Sequence, residues 1–257
     1  MFNLELFGLK LNTDYIGRNF MYFEEIDSTN TFLLNKENTI DISGTVVLAE
    51  FQTKGRGRMD RVWKSDSAQN LTFSILFYKE PEIFKYLNFL NFSSTLAVAV
   101  SLENLYQLKP ELKWPNDILI SKKKTCGILI ESVTNKNKIE KVVVGIGINV
   151  NQNYFKGDYN YPPTSIRIEL GKEVKREKLL AEVLNNLEEF IEKMKTNRNH
   201  ILNEWKSRCK MIGEKISIKQ NDTIQFGIFD DIDENGFLIL KTKTGLEKIT
   251  AGDLIPQ

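Results

Sequence analysis

The stretch that decides the fold is LKWPNDILISKKKTCGILIESVTNKNKIEKVVVGIGINV, residues 112–150. Its apolar runs are rich in isoleucine, leucine and valine, and the polar segments SKKK at 121–124 and NKNK at 135–138 separate them. Apolar runs of strand length that are joined by short polar turns are typical of neighbouring antiparallel strands. Residues 112–150 therefore predict an antiparallel meander.

The flanking segments add helices and further strands. GTVVLAEFQT (44–53) and NLTFSILFY (70–78) have the β-branched and aromatic content of strands. SSTLAVAVSLENLYQL (93–108) predicts a buried helix that begins at its serines, and apolar residues spaced by three and four between Leu180 and Met194 predict an amphipathic helix. We expect Ser28 or Asp27 to cap a short helix, and Trp205 to anchor another. The mixture predicts an α+β fold.

The sequence pattern changes near Gly213, where predicted short strands alternate with turn residues up to the end of the sequence. About 45 residues of this kind suit a small β-barrel that packs against the main body. We therefore expect two domains, residues 1–212 and residues 213–257, with the boundary near Gly213.

The charge balance, the cysteine spacing and the hydrophobic pattern limit the kinds of protein that this sequence can encode. Lysine plus arginine (35) nearly cancels aspartate plus glutamate (34), so any polyanion must be bound by a local patch. Cys126 and Cys209 have neither metal-ligand nor disulfide spacing, which favours a reducing cytoplasm. We see no pattern typical of an export signal or a membrane-spanning segment.

The densest positive charge lies in QTKGRGRMDRVW, residues 52–63, where Arg56, Arg58 and Arg61 interleave with two glycines. We call residues 53–63 the arginine loop. Glycine lets the backbone approach a ligand closely, and the planar guanidinium groups suit carboxylate and phosphate oxygens. Trp63 adds a flat surface for stacking a purine. The pattern predicts an anion site, with a solvated, salt-bridged surface loop as the alternative.

Two further motifs carry polar groups at strand ends. In KWPND (113–117), Pro115 fixes a turn and Lys113 can face a pocket, followed by Asn116 and Asp117. KWPND also has a purely structural interpretation, as a strand entry. The glycine motif described next has one too, as glycines that allow close packing.

In VVVGIGINV (142–150), Gly145 and Gly147 indicate close approach of a ligand or of another backbone, and Asn149 can present an amide. The third glycine of a dinucleotide fingerprint is missing, and so is the phosphate-loop pattern. The single histidine, His200, lies in a polar stretch and is expected at the surface. Any chemistry should therefore depend on fixed charges rather than on imidazole proton transfer.

Taken in order, five motifs resemble those of biotin protein ligases: DSTN at 27–30, GRGR at 55–58 with Arg61 and Trp63, KWPND at 113–117, CGILIE at 126–131 and GIGINV at 145–150. The resemblance implies a mixed or antiparallel central sheet flanked by helices, as in class II aminoacyl-tRNA synthetases. A small C-terminal SH3-like β-barrel is implied too. The same resemblance makes residues 1–212 the catalytic domain.

The implied reaction has two steps. Biotin and ATP give biotinyl-5'-AMP and pyrophosphate, and a lysine of a biotin carboxyl carrier protein then takes the biotinyl group. Mg²⁺ would bridge the phosphates, held mostly by substrate oxygens and water. No dedicated metal cage is visible in the sequence.

The resemblance also implies roles for individual residues. Lys113 and Arg58 are the expected catalytic residues. The residues expected to bind biotin are Ser28, Thr29, Asn30, Gln52, Gly55, Arg56, Lys113 and Gly127. Those expected to bind the nucleotide and its phosphates are Arg58, Arg61, Trp63, Asn116 and Asn149.

Two departures from the family pattern matter. Asp60 stands where the family often has glycine, which makes the role of Arg61 less secure than that of Arg58. The first motif starts at Asp27, which leaves too little chain for the helix-turn-helix of members that also repress transcription. We therefore expect an enzyme without DNA or membrane partners, while homodimerisation stays open.

Two other functions remain as alternatives. A lipoate or octanoate ligase or transferase has a related fold and binds another acyl group through a lysine. A non-catalytic nucleic-acid-binding protein would use the arginine loop and the β-barrel, although aromatic residues do not interleave with the arginines as a stacking platform requires.

Overall fold

The computed structural model describes residues 2–136, 138–157, 159, 161–220 and 223–255. Two sheets dominate these residues, and the first has seven strands: β1 Phe20–Ile26, β2 Val46–Gln52, β3 Leu71–Tyr78, β4 Glu111–Lys113, β5 Asp117–Ile120, β6 Lys123–Asn135 and β7 Lys138–Ile148. Their spatial order is β1-β2-β3-β7-β6-β5-β4. The β1–β2 pair is parallel and the other pairs are antiparallel, so the sheet is mixed, and the predicted meander is confirmed over β5, β6 and β7.

Helices cover both faces of this sheet. They are α1 Leu4–Lys10, α2 Thr29–Leu34, α3 Pro81–Phe84, α4 Leu87–Tyr106, α5 Ile166–Leu170, α6 Arg176–Thr196 and α7 Arg198–Arg208. Because successive strand residues point to opposite faces, Val46 and Leu48 enter the main core, whereas Val47 joins the smaller cluster that includes Leu33 of α2. The apolar layer on the α2 face is therefore thin, and a cavity lies beside it. No helix within the described ranges is long and apolar enough to cross a bilayer.

The predicted start of the central helix is wrong. Helix α4 begins at Leu87, and Ser94 lies inside it, where its hydroxyl donates to the Leu90 carbonyl at 2.7 Å. A buried serine can satisfy itself on the preceding turn, so a serine pair does not have to mark a helix start. The short helix α2 does begin as expected, since the Ser28 hydroxyl accepts from the Thr31 amide at 3.4 Å. Trp205 is fully buried on α7, also as expected.

The second sheet consists of β8 Lys215–Gln220, β9 Thr223–Ile232, β10 Leu238–Lys241, β11 Leu246–Ile249 and β12 Asp253–Ile255, in the order β11-β10-β9-β8-β12. All its pairs are antiparallel, which fits the expected SH3-like domain. Its β9–β10 turn rests on the main body, where the Asn88 side chain donates to the Asn235 carbonyl at 2.9 Å and the Trp114 indole to the Gly236 carbonyl at 3.4 Å. Strand β12 begins beside the arginine loop.

Candidate active site

A cavity of about 490 Å³ lies on the α2 face of the large sheet. Four regions that are distant in sequence line it: the start of α2, the arginine loop, strands β6 and β7, and residue Asp253 of the second sheet. Tyr159 and Tyr161, from the segment between β7 and α5, close another side. The sheet topology brings these regions together over the central strands β7 and β6.

Glycines make the floor of this cavity. Gly127 of β6 and Gly147 of β7 are direct cross-strand partners, so neither strand presents a side chain at this point. A Cβ atom at Gly147 would collide with the Trp63 indole, and one at Gly145 would collide with the Asn30 side chain. The glycine pair of the GIGIN motif is therefore required so that the Trp63 and Asn30 side chains can lie close against the sheet.

The arginine loop folds back on itself as a small hairpin. The Gly57 amide donates to the Arg61 carbonyl at 2.6 Å, and the Trp63 amide donates to the Gly55 carbonyl at 3.0 Å. At its tip, Met59 and Asp60 have φ angles of 53° and 56°. This left-handed conformation is unfavourable for side chains with a Cβ, so the departure of Asp60 from glycine has a conformational cost.

Two arginines of the loop share one carboxylate. Arg58 donates from Nη1 to Oδ1 of Asp253 at 3.1 Å and to the Asn116 side-chain oxygen at 3.2 Å. Its Nη2 donates to the Gly252 carbonyl at 3.3 Å. Arg61 pairs with the other carboxylate oxygen of Asp253. Both guanidinium groups thus face the cavity from a fixed position.

Two lysines share a second carboxylate beside this cluster, next to Asn116. The Lys113 ammonium lies 3.3 Å from Oδ2 of Asp117, and the Lys124 ammonium lies 2.6 Å from Oδ1. Burial raises the pKa of Asp117, but the two ammonium groups outweigh it and hold the pKa at about 2. Burial lowers the pKa of Lys113, and Asp117 opposes that shift. The ring of Tyr161 lies 4.4 Å from the Lys113 ammonium.

The charge balance of these two clusters is positive. Four cations face two carboxylates, because Arg58 and Arg61 share Asp253 while Lys113 and Lys124 share Asp117. The clusters lie on one cavity, so two positive charges remain without an internal counter-ion. Such a site favours an anionic ligand with several charged oxygens.

Neutral donors and acceptors line the other end of the cavity. The Gln52 side-chain oxygen accepts from the Thr29 amide at 2.7 Å, and the Thr29 hydroxyl lies 2.6 Å from that of Ser74. Ser74 in turn donates to Asn30 at 2.5 Å. Asn30 donates onward to Glu131 at 2.7 Å. This buried chain orients hydroxyl and amide groups that suit a polar, uncharged ring system.

Comparisons with known proteins agree with this geometry. Residues 22–149 match the Biotin/lipoate A/B protein ligase family, and residues 211–255 match the Biotin protein ligase C terminal domain. The Bifunctional ligase/repressor BirA of Bacillus subtilis is 32% identical over 96% of this chain and 76% of its own length. This chain belongs to the biotin protein ligase family.

Other members of the family support the assignment. The Biotin--[acetyl-CoA-carboxylase] ligase of Mycobacterium tuberculosis is 30% identical over 89% of this chain and 85% of its own length. Among solved structures, the biotin protein ligase from Aquifex aeolicus in complex with biotin and ATP superposes with a TM-score of 0.81. It is 31% identical over 92% of this chain and 97% of that one. The resemblance inferred from the five motifs is confirmed.

Most residues singled out in this ligase-family sequence line the one cavity: Ser28, Thr29, Asn30, Gln52, Arg56, Arg58, Arg61, Trp63, Lys113, Asn116, Gly127 and Asn149. Gly55 is buried and does not line it, because its place is beneath the Trp63 carbonyl, where a Cβ would not fit. The Asn149 side chain also has protein partners. Its amide donates to the carbonyls of Lys124 and Thr164, so its N–H groups hold the cavity wall together.

Sequence reasoning missed several residues of the site. Lys124 lies in the SKKK segment, which predicts a solvated turn, and Asp117 received no role of its own within KWPND. Asp253 and Tyr161 carried no signal at all, because their positions in the cavity depend on the docking of the second sheet and on the path of the chain after β7.

Proposed function

We propose that this chain is an ATP-dependent biotin protein ligase, which forms biotinyl-5'-AMP and then transfers biotin to a lysine of a biotin carboxyl carrier protein. The observation that carries the proposal is that the arginine loop and Lys113 line the same cavity. The neutral end of that cavity fits biotin's ureido ring, and the cationic end fits phosphates. Family membership and the Aquifex structure with biotin and ATP support this choice of substrates.

In the first step, a biotin carboxylate oxygen attacks the α-phosphorus of ATP, and the bond from that phosphorus to the departing pyrophosphate breaks. We assign Lys113 to the carboxylate and the bridging oxygen, because its ammonium is buried and fixed by Asp117. Arg58, Arg61 and Lys124 surround the phosphates. Preorganised donors of this kind stabilise developing charge without reorganising, and each is worth about 10²–10³ in rate.

The ends of the ligand have distinct partners in this proposal. Ser28, Thr29, Asn30 and Gln52 hold the ureido ring, and Gly127 lets the ligand approach the sheet closely. Trp63 forms the wall over the glycine floor and stacks with the nucleotide. Asn116 accepts a hydrogen bond from Arg58 and so helps to orient its guanidinium group. Asn149 donates to the Thr164 carbonyl and so holds the wall of the nucleotide site in place.

In the second step, the ε-amine of the carrier lysine attacks the acyl carbon, an amide bond forms as the amine gives up a proton to water, and AMP leaves as the acyl–phosphate bond breaks. The same cations stabilise the AMP phosphate as it departs. His200 takes no part, because it lies in the first turn of α7 and does not line the cavity.

Mg²⁺ belongs to the proposal as a companion of ATP. Asp117 and Asp253 are the carboxylates that line the cavity, and each is already paired with two cations. Within the described residues, no group of three or more His, Cys, Asp or Glu side chains could hold a metal. The ion would therefore be coordinated mostly by phosphate oxygens and water.

We further propose that residues 1–212 are the catalytic domain and residues 213–257 the C-terminal domain. A cytoplasmic location is proposed because both cysteines are free and buried, as suits a reducing compartment. Homodimerisation is proposed through the outer edge of β1 or β4, which are the two edge strands of the large sheet.

The test is ATP–pyrophosphate exchange with purified protein, Mg²⁺ and either biotin, lipoate or octanoate. Exchange that requires biotin, followed by labelling of a carrier domain, is the expected result. Exchange with lipoate or octanoate in place of biotin would reassign the substrate. Absence of exchange with every acid, together with tight and strongly salt-dependent RNA or DNA binding, would favour the nucleic-acid alternative.

A further inference from the structure

A chain of hydrogen-bonded side chains ends at the neutral end of the cavity. It runs from Glu131 on β6 through Asn30 on α2 and Ser74 on β3 to Thr29 at the start of α2. Asn30, Ser74 and Thr29 are all buried. Thr29 and Asn30 line the cavity, whereas Ser74 and Glu131 do not. Ser74 and Glu131 can therefore influence a ligand only through the side chains that they orient.

The Asn30 side chain has one favourable orientation. Its nitrogen lies 2.7 Å from Oε2 of Glu131 and 3.3 Å from the Leu129 carbonyl oxygen. A carboxylate and a carbonyl only accept, and the Glu131 carboxylate also pairs with the Arg56 guanidinium at 2.8 Å. Turning the amide over would set its own oxygen against these acceptors. The Asn30 oxygen therefore faces Ser74, also as an acceptor.

The direction of each further hydrogen bond follows from that orientation. The Ser74 hydroxyl lies 2.5 Å from the Asn30 oxygen, so its single proton lies between these two atoms. The Ser74 and Thr29 hydroxyl oxygens are 2.6 Å apart, and only Thr29 still has a proton to place between them. Thr29 thus donates to Ser74. The Thr29 oxygen is left as an acceptor toward every other partner.

Thr29 and Gln52 therefore present two acceptors to the cavity. The Gln52 side-chain oxygen lies 3.1 Å from the Thr29 hydroxyl oxygen, and it already accepts from the Thr29 amide at 2.7 Å. The Thr29 proton is used on Ser74, so it cannot also lie between the Thr29 and Gln52 oxygens. We call these two oxygens the acceptor pair. A ligand N–H group would satisfy both, and a ligand without one would leave both without a donor.

We propose that Ser74 is a positioning residue, which accepts the Thr29 hydrogen bond and thereby makes the acceptor pair select an acid whose ring carries an N–H group. Glu131 acts at the far end of the chain by fixing Asn30. The ureido ring of biotin has two N–H groups, whereas the dithiolane ring of lipoate has none. A site built around such a hydrogen bond discriminates strongly against a ligand that lacks the donor. The choice of biotin as the ligand rests on the proposed function.

Equilibrium titration of the full chain with biotin tests the role of Ser74. Ser74→Ala frees the Thr29 proton for Gln52, so the acceptor pair no longer needs a donor from the ligand. The Kd should rise about tenfold for biotin and for desthiobiotin, which keeps the ureido ring, since this is the scale of one hydrogen bond. The matched control is Ser94→Ala, at another fully buried serine, and it should leave both Kd values unchanged. A wild-type Kd in Ser74→Ala would overturn the proposal.

A second background separates this role from a general loss of packing. Thr29→Val removes the hydroxyl with little change in shape, and it should itself weaken biotin binding about tenfold. Because Ser74 acts through that hydroxyl, Ser74→Ala should add less than about a twofold loss in the Thr29→Val protein. A full further loss of about tenfold would show that Ser74 acts by another route, and would refute the proposal.

Lipoate gives a complementary measurement. Its competition with labelled biotin should be equally weak, or absent, in the wild type and in Ser74→Ala, because its ring offers no N–H group to the acceptor pair. A loss of lipoate affinity that matches the loss for biotin would indicate a distorted cavity and would overturn the proposal.

Two variants of Glu131 test the far end of the chain. Glu131→Gln keeps an oxygen that can accept from Asn30, whereas Glu131→Leu does not. Both lose the charge beside Arg56, so the difference between them isolates the acceptor. The Kd for biotin should be about fivefold higher in Glu131→Leu than in Glu131→Gln, and equal values would refute the role of Glu131.

The same titrations distinguish this proposal from the proposed function. If the wild type binds neither biotin nor desthiobiotin, the proposed function fails and the role of Ser74 in substrate choice fails with it. If biotin binds equally well to the wild type and to Ser74→Ala, the proposed function stands and only the role of Ser74 is refuted.

Discussion

Replacing Asp117 with asparagine should weaken both the fold and the reaction. The carboxylate lies between two ammonium groups, and its pKa is about 2 against an ordinary value of 3.8. One pKa unit corresponds to about 1.4 kcal/mol, so the ionised group contributes about 2.5 kcal/mol to the free energy of unfolding at pH 7. A carboxyl group whose pKa is lower in the folded protein than in the unfolded protein stabilises the fold at pH values above its unfolded-state pKa. This stabilisation is lost as the pH falls through the folded-state pKa. The effect of Asp117→Asn should therefore persist from pH 7 down to about pH 4 and shrink below it.

The same change should shift the pH dependence of the reaction. Burial lowers the pKa of Lys113, and the Asp117 carboxylate opposes that shift. Without the carboxylate, the pKa of Lys113 falls further, so the ammonium is lost at a lower pH. Pyrophosphate exchange in Asp117→Asn should decline with rising pH earlier than it does in the wild type.

Urea unfolding at pH 7 and at about pH 2 measures the first effect, and exchange between pH 6 and pH 10 measures the second. Asp230→Asn, on the exposed side of β9, serves as the control for an aspartate-to-asparagine change. An Asp117→Asn protein with wild-type unfolding free energy and an unshifted alkaline limb would refute the claim that Asp117 holds the lysine pair.

Three further substitutions test the assigned roles. Lys113→Ala should lower adenylate formation about 10²–10³-fold in a protein that keeps its circular dichroism spectrum, and near-normal carrier biotinylation would contradict this. Arg58→Gly removes the contacts with Asn116 and Asp253, so labelled adenylate should escape during gel filtration; unchanged retention would count against the role. Asp60→Gly relieves a φ of 56° and should stabilise the closed loop by about 1 kcal/mol, seen as slower amide exchange, whereas equal or faster exchange would show that the aspartate contributes a compensating contact.

Local chemistry in the sequence predicted much of the fold. The runs from Ile118 to Ile148 specify strands because their apolar content and polar turns leave few alternatives, and Ser28 marks a helix start through its own hydroxyl. The start of α4 was misplaced because buried serines there bond to the previous turn, which local pattern does not distinguish from capping. Helix α1 carried no strong periodic signal and was not predicted.

Residues of the cavity lining could be anticipated where they belong to a dense motif, as with Arg58 and Lys113. They were missed where a role arises from tertiary neighbours. Lys124 looks like any lysine of a polar turn until the β5–β6 pairing sets it beside Asp117. Asp253 stands in an unremarkable segment, and its role depends on the docking of the second sheet.

The two carboxylates explain how so cationic a site can exist before substrate arrives. A buried lysine such as Lys113 is unfavourable without a counter-ion, and two guanidinium groups on one flexible loop repel each other. Asp117 and Asp253 each join two cations, which lowers both penalties without neutralising the cavity. More carboxylates would compete with phosphate, and fewer would leave the empty site unstable. One carboxylate for each pair of cations therefore balances the stability of the empty protein against its attraction for an anionic substrate.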